Sequence, residues 1–187
     1  NTYTISGTTD GATVTASGST VSNTVTANAG SYSVSAKSGD VVTLTATKTG
    51  YTCSVAGSPI TVGIANVTTA NVSCTPIAYS ISVTNSTAAA VSISGSTATN
   101  ATNPNSATSF SFSANYGDNV SLSATKTGNT CSVTPASINP VTGDSSATVS
   151  CTANIYTISG TMDGATVTAS GSTVSNTVTA TTGCLLY

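Results

Sequence analysis

The sequence contains no histidine, tryptophan, glutamate or arginine. Its charged residues are five aspartates (Asp10, Asp40, Asp118, Asp144, Asp163) and three lysines (Lys37, Lys48, Lys126), which make up 4% of the chain. Ordinary globular domains carry about 25%. Each absence removes a class of chemistry. Without histidine or glutamate there is no conventional triad and no glutamate acid–base pair, so a base for the many serines has to be lysine or aspartate. Without arginine, the counterion release that drives nucleic-acid binding is missing. No run approaches the roughly 20 apolar residues of a membrane helix. The chain opens on Asn1-Thr-Tyr-Thr-Ile, which reads as a strand and not a leader, so a mature chain or an excerpt of a longer one is expected. No enzymatic activity, cofactor, nucleic-acid partner or transmembrane segment is expected.

What is present points to a folded all-β protein. Disordered chains usually combine high net charge with few β-branched residues. Here the net charge is only −2, and Ser, Thr, Asn, Ala and Val make up most of the sequence. Threonine and valine favour a pleated, half-buried surface.

The strongest signal is internal repetition. Tyr3–Ala27 recurs at Tyr156–Ala180 with one difference, Thr9 against Met162. Between them, Ser31–Val55 aligns without gaps on Ser109–Val133, and both copies run through Ala-Thr-Lys-Thr-Gly into Thr-Cys-Ser-Val. Tyr79-Ser-Ile-Ser takes the place of Tyr3-Thr-Ile-Ser. The repeat is therefore about 77 residues long, and the near-identical copies stand two repeats apart. The expected divisions are 1–77, 78–154 and a partial third repeat, 155–187. The tail Thr181-Thr-Gly-Cys-Leu-Leu-Tyr187 departs from Asn28-Ala-Gly-Ser-Tyr-Ser-Val34. A few strands bury no core alone, so the third repeat is either cut short or pairs with another repeat or another molecule.

Alternation sets the strands. Tyr32, Val34 and Ala36 alternate with serines, and Val42, Leu44 and Ala46 with threonines; Phe110, Phe112, Ala114 and Val120, Leu122, Ala124 repeat the pattern. A period of two sends one set to a core and the other to solvent. Turn signals such as Asp10-Gly11, Gly39-Asp40, Gly117-Asp118 and Gly143-Asp144 break the runs at short intervals. About six or seven short strands per repeat suit an antiparallel, Ig-like β-sandwich. A β-solenoid is the competitor, but it needs a shorter and more regular period.

The cysteines fit this plan. Cys53 and Cys74 flank about twenty residues of the first repeat, and Cys131 and Cys151 match them in the second. One intradomain disulfide in each repeat is expected, closing a loop for roughly 3 kcal/mol. Zinc is the rival reading, and neither a CxxC spacing nor a histidine supports it. Disulfides imply an oxidising, extracellular compartment.

Tyr-Thr-Ile-Ser-Gly-Thr at the repeat start, Gly-Tyr-Thr-Cys-Ser-Val, and Asn-Val-Ser-Cys-Thr at the repeat end resemble the Ig-like tandem repeats of large bacterial surface and secreted proteins. That resemblance implies an extracellular or cell-surface location and no shared catalytic residues. Such repeats serve in adhesin stalks and filaments.

Other candidate sites are weighed against plainer roles. Lys48 and Lys126 share the motif Thr-Lys-Thr-Gly, which admits a lysine–asparagine isopeptide bond or, as the favoured reading, a solvated lysine at a strand end. The aspartates stand singly beside glycines, which suits turns better than a calcium site. Cys184 is the fifth cysteine and forms either an intermolecular bond or none. The Thr-x-Thr runs (Thr13, Thr15; Thr24, Thr26; Thr43, Thr45, Thr47) offer ranks of hydroxyls and methyls, an ice-binding pattern weakened where the second repeat has serine. Carbohydrate binding is a further remote reading, because Tyr32, Phe110 and Phe112 look buried and not exposed. Asn66, Asn71, Asn85, Asn100 and Asn119 head glycosylation sequons, at the frequency such a composition gives by chance. The leading expectation is a structural subunit of an extracellular filament or surface fibre that associates with identical chains. It rests on near-zero charge and on strand edges without protective lysines. The alternative is a stalk segment of an adhesin.

Overall fold

The structure is a computed structural model that describes residues 1–25, 30–98, 108–157, 160, 166–170 and 175–179. Among these residues there is no helix, only strands and turns. The chain divides into two compact units, one of Asn1–Thr127 with Cys131–Cys151 and one of Gly128–Thr130 with Thr152–Tyr187.

The larger unit holds two separate hydrophobic cores. Around the first run β1 (Thr2–Thr8), β2 (Thr13–Ser17), β3 (Ser22–Val25), β4 (Ser31–Lys37), β5 (Val41–Thr47), β6 (Tyr51–Val55), β7 (Ile60–Thr61) and β8 (Val72–Pro76). They form sheets β1-β4, β3-β2-β5-β7 and β6-β8. Ile5, Val14, Val34, Val42 and Leu44 come from different sheets and meet in one core. The alternation read from the sequence is kept: in β4 the serines face out while Tyr32, Val34 and Ala36 are buried.

Around the second core run β9 (Ala78–Thr84), β10 (Ala90–Ser94), β11 (Ser109–Asn115), β12 (Val120–Thr125), β13 (Asn129–Thr134), β14 (Ser137–Ile138) and β15 (Ser145–Ala153). The sheets are β11-β9-β15-β13 and β10-β12-β14. Pairings recur between the halves: β9 takes β11 as β1 takes β4, and β12 takes β10 and β14 as β5 takes β2 and β7.

One pairing departs from the expected antiparallel arrangement. Ser145–Thr148 of β15 runs parallel to Ile81–Thr84 of β9. The chain visits the other sheet at β14 before it returns, and such a crossover lets it arrive in the direction of β9. In the first half the same contact shrinks to a parallel bridge between Ile5 and Val67. Gly7 explains the difference: a Cβ there would lie 2.1 Å from the Ala70 carbonyl oxygen, so only glycine admits this close approach. The second half has Val83 at the corresponding position, buried in a regular ladder opposite Ala147.

In the smaller unit, β16 (Thr166–Ser170) and β17 (Ser175–Thr179) form an antiparallel pair with Thr168 opposite Thr177. Asn154 N donates to Gly128 O at 2.9 Å.

Candidate functional site

The two disulfides join Cys53 to Cys74 and Cys131 to Cys151. Each links neighbouring strands of one sheet, β6 with β8 and β13 with β15, and Cys53 stands directly opposite Cys74. They staple strand pairs far apart in sequence. Cys184 lies outside the described residues.

Asp40 and Asp118 hold equivalent turns, and both are buried. Asp40 accepts hydrogen bonds from Ser19 Oγ at 2.5 Å, from the Thr20 hydroxyl and from Lys37 N at 3.2 Å. Asp118 accepts from Thr97 Oγ1 at 2.6 Å and from Thr97 N and Asn115 N, each at 2.8 Å. The Ser19 and Thr20 hydroxyls hold the Asp40 carboxyl below its ordinary range, against an opposing push from burial. For Asp118 burial pushes upward most strongly, and the bonds from Thr97 and Asn115 together outweigh it, so its carboxyl is also lowered. Asp40 ties the β2–β3 loop to the turn between β4 and β5, and Asp118 ties the segment after β10 to the turn between β11 and β12. The other described aspartates bond backbone amides: Asp10 Oδ2 accepts from Cys74 N, and Asp144 Oδ1 from Ser80 N. Among the described residues no three His, Cys, Asp or Glu side chains stand together to hold a metal ion.

The lysines of Thr-Lys-Thr-Gly close loops. Lys48 Nζ donates to the Asp10 carbonyl at 2.8 Å, and Lys126 Nζ to the Thr87 carbonyl at 2.6 Å. Lys48 also lies 4.1 Å from the centroid of the Tyr51 ring. An open cleft of about 540 Å³ lies beside it, lined by Gly11, Thr13, Thr47 and Thr49 among others.

Across β2 and β5 the threonines share one outer face. Thr15 pairs with Thr45, Thr13 with Thr47 and Ser17 with Thr43 across β2 and β5; all are exposed except Thr13, which is half-buried. Thr24 is paired with Thr15 in β3, and Thr26 lies outside the described residues. Tyr32 and Phe112 are buried and Phe110 is half-buried, so they offer no exposed aromatic platform. Of the sequons, Asn66, Asn71 and Asn119 are exposed, Asn85 is fully buried, and Asn100 lies outside the described residues.

The most developed constellation joins the two cores and was not legible as a site in the sequence. Strand β8 ends at Pro76 and β9 begins at Ala78, which leaves Ile77 as the whole connection. Ile77 N donates to Gly50 O at 2.9 Å, and Tyr116 N donates to Ile77 O at 2.8 Å. The Tyr116 ring meets the Tyr51 ring edge-on, with centroids 6.1 Å apart and planes at 68°. It also covers Gly50 so closely that a Cβ there would fall 2.1 Å from ring carbons. Both backbone groups of the connecting residue are thus bonded, one to each half. The one sequence signal was Tyr116 itself, an aromatic where the aligned first repeat has Ser38.

Comparison with family models gave no match, and neither did comparison with curated proteins.

Proposed function

We propose that this chain is a structural subunit of an extracellular filament or surface fibre, built from tandem Ig-like β-sandwich repeats. The observation that carries the reading is the Ile77 junction, where the connecting residue bonds both halves and Tyr116 packs on Gly50. A linker that is hydrogen-bonded on both sides transmits orientation from one repeat to the next, which is what a fibre needs of its parts. A flexible tether would leave those groups to water. Two disulfides support an oxidising location, and among the described residues no helix is long and apolar enough to cross a membrane. The Ig-like label describes the repeat and its stacked sheets and not the cysteine framework, because antibody domains bridge their two sheets whereas these disulfides stay within one.

A surface almost free of charge favours association with identical chains over a solitary spacer. Electron microscopy of the unreduced protein at physiological salt tests this reading. Filaments with an axial repeat of one or two sandwich lengths are expected. Short dispersed rods would overturn self-assembly and leave the adhesin-stalk reading in its place.

A further inference from the structure

Lys48 is fixed where a surface lysine ordinarily moves in water. Its Nζ donates to the Asp10 carbonyl at 2.8 Å and stands 4.1 Å from the centroid of the half-buried Tyr51 ring. The ring face attracts the ammonium, and the carbonyl fixes its position over that face. An ammonium carries three donors, and the Asp10 carbonyl takes one. The Asp10 carboxylate is engaged elsewhere, by Cys74 N at 3.0 Å.

This ammonium stands at the open cleft of about 540 Å³, a size that suits a small organic ligand. Gly11, Thr13, Thr47, Thr49 and Tyr51 line it beside Lys48. These described residues offer a cation, hydroxyls that both donate and accept, and an aromatic ring, and none of them carries a carboxylate. Gly11 keeps the approach to the ammonium clear, since a Cβ there would already lie 3.7 Å from Nζ. Thr13 stands opposite Thr47, and exposed hydroxyls continue from this pair to Thr15 and Thr45 and then to Ser17 and Thr43. A ligand longer than one ring can run from the cleft along that face.

The second repeat keeps the lysine and loses the rest. Lys126 aligns with Lys48 and donates to a loop carbonyl too, that of Thr87 at 2.6 Å. Asn129 aligns with Tyr51, and Ala88, at φ +52°, takes the place of Gly11, at φ +71°. Closing the loop therefore needs only the lysine. The ring and the glycine belong to the first of these two repeats.

We propose that the Lys48 cleft binds an acidic saccharide. Its carboxylate takes the remaining donors of the ammonium in a charge-assisted bond, and its hydroxyls meet those of Thr13, Thr47 and Thr49. A peptide fits less well, because β2 is paired on both sides and gives the cleft no open strand edge. The site goes beyond the filament reading and does not rest on it.

NMR titration of the full-length, disulfide-intact protein with the trimer of galacturonic acid tests it, at low ionic strength to limit screening. Saturable amide shifts are expected at Thr13, Thr47, Lys48, Thr49 and Tyr51, and none at Lys126. Lys48→Met should weaken binding about tenfold or more, the worth of a hydrogen bond to a charged group. Thr47→Val removes a wall hydroxyl, keeps the branched side chain of the strand and leaves Lys48 in place; it should weaken binding severalfold. The Val42 and Leu44 amides, in the core, report that both variants are folded. Equal binding of the neutral glucose trimer would overturn the proposal, as would equal binding of a sugar-free tricarboxylate or of an acidic tripeptide. So would the absence of saturable shifts, or native affinity in both variants.

Discussion

The Tyr32 hydroxyl donates a 2.5 Å hydrogen bond to the carbonyl oxygen of Ala70, deep in the first core. The same carbonyl is the atom that Gly7 lets approach β1. The second core is built differently: Phe110 aligns with Tyr32, Val83 replaces Gly7, and Ala147, the counterpart of Ala70, lies opposite Val83 in a regular parallel ladder. An irregular crossing and the phenol that satisfies it occur together, and where the strand is regular the hydroxyl is dispensable. Burial also pushes the Tyr32 phenol up, so it stays a donor throughout the ordinary pH range.

Replacing Tyr32 by phenylalanine should therefore destabilise the first core by about 1–3 kcal/mol, the cost of stranding a buried carbonyl. Chemical denaturation reads the loss as a lower midpoint. The reciprocal change, Phe110→Tyr, should bring no gain, because Ala147, the counterpart of Ala70, lies in a regular parallel ladder with Val83.

Much of this fold was written in the alternation. Of the set that period-two spacing picks out in β4 and β5, Tyr32, Val34, Ala36, Val42 and Leu44 are buried and Ala46 is half-buried, since a pleated strand can hide only every second residue. The turn aspartates were legible as turns, but not as carboxylates that reach back across about twenty residues to Ser19, Thr20 and Thr97. The parallel strand was not legible, because side-chain alternation is the same for either direction of pairing. Nor was the junction: Gly50 reads as an ordinary turn glycine, and only the fold brings Tyr116 onto it.

Acid should weaken the protein through Asp40 and Asp118. Both carboxyls are lowered, Asp40 chiefly by the Ser19 and Thr20 hydroxyls and Asp118 by bonds that outweigh its burial. A carboxyl whose folded value is depressed contributes stability that is present above its unfolded value, about 3.9, and lost as pH falls through the folded one. Urea midpoints should therefore hold steady at neutral pH and decline below about pH 4. In the double variant Asp40→Asn, Asp118→Asn, stability at neutral pH should be lower and the acid decline shallower. An unchanged acid decline in that variant would count against these two turns as its source.

The Cys53–Cys74 and Cys131–Cys151 disulfides close loops of sequence separation 21 and 20. Because the cores are separate, replacing Cys53 and Cys74 together with serine should cost the first core roughly 3 kcal/mol. The second core should keep its own stability. Amide hydrogen exchange resolves the two: protection should fall at Val42 and Leu44 and persist at Val120 and Leu122, which belong to different cores.

Gly50 and Gly128 offer a controlled comparison for the junction. They are aligned repeat positions with nearly the same backbone, φ +75° and +71°. A Cβ on Gly128 meets nothing within 4 Å, whereas one on Gly50 runs into the Tyr116 ring. Gly128→Ala should cost only the left-handed backbone penalty, about 1–2 kcal/mol. Gly50→Ala carries the same penalty and must also move Tyr116 off its seat. The difference between the two variants therefore isolates the ring contact. Combining Gly50→Ala with Tyr116→Ala should erase the excess cost, since residues in contact couple and removing the partner removes the clash. Contacts between the Tyr51 and Tyr116 rings, read by NMR cross-relaxation, should vanish in Gly50→Ala and survive in Gly128→Ala. If the two alanine variants prove equally stable and keep that contact, Tyr116 does not seat on Gly50 in solution, and the two halves are joined by Ile77 alone.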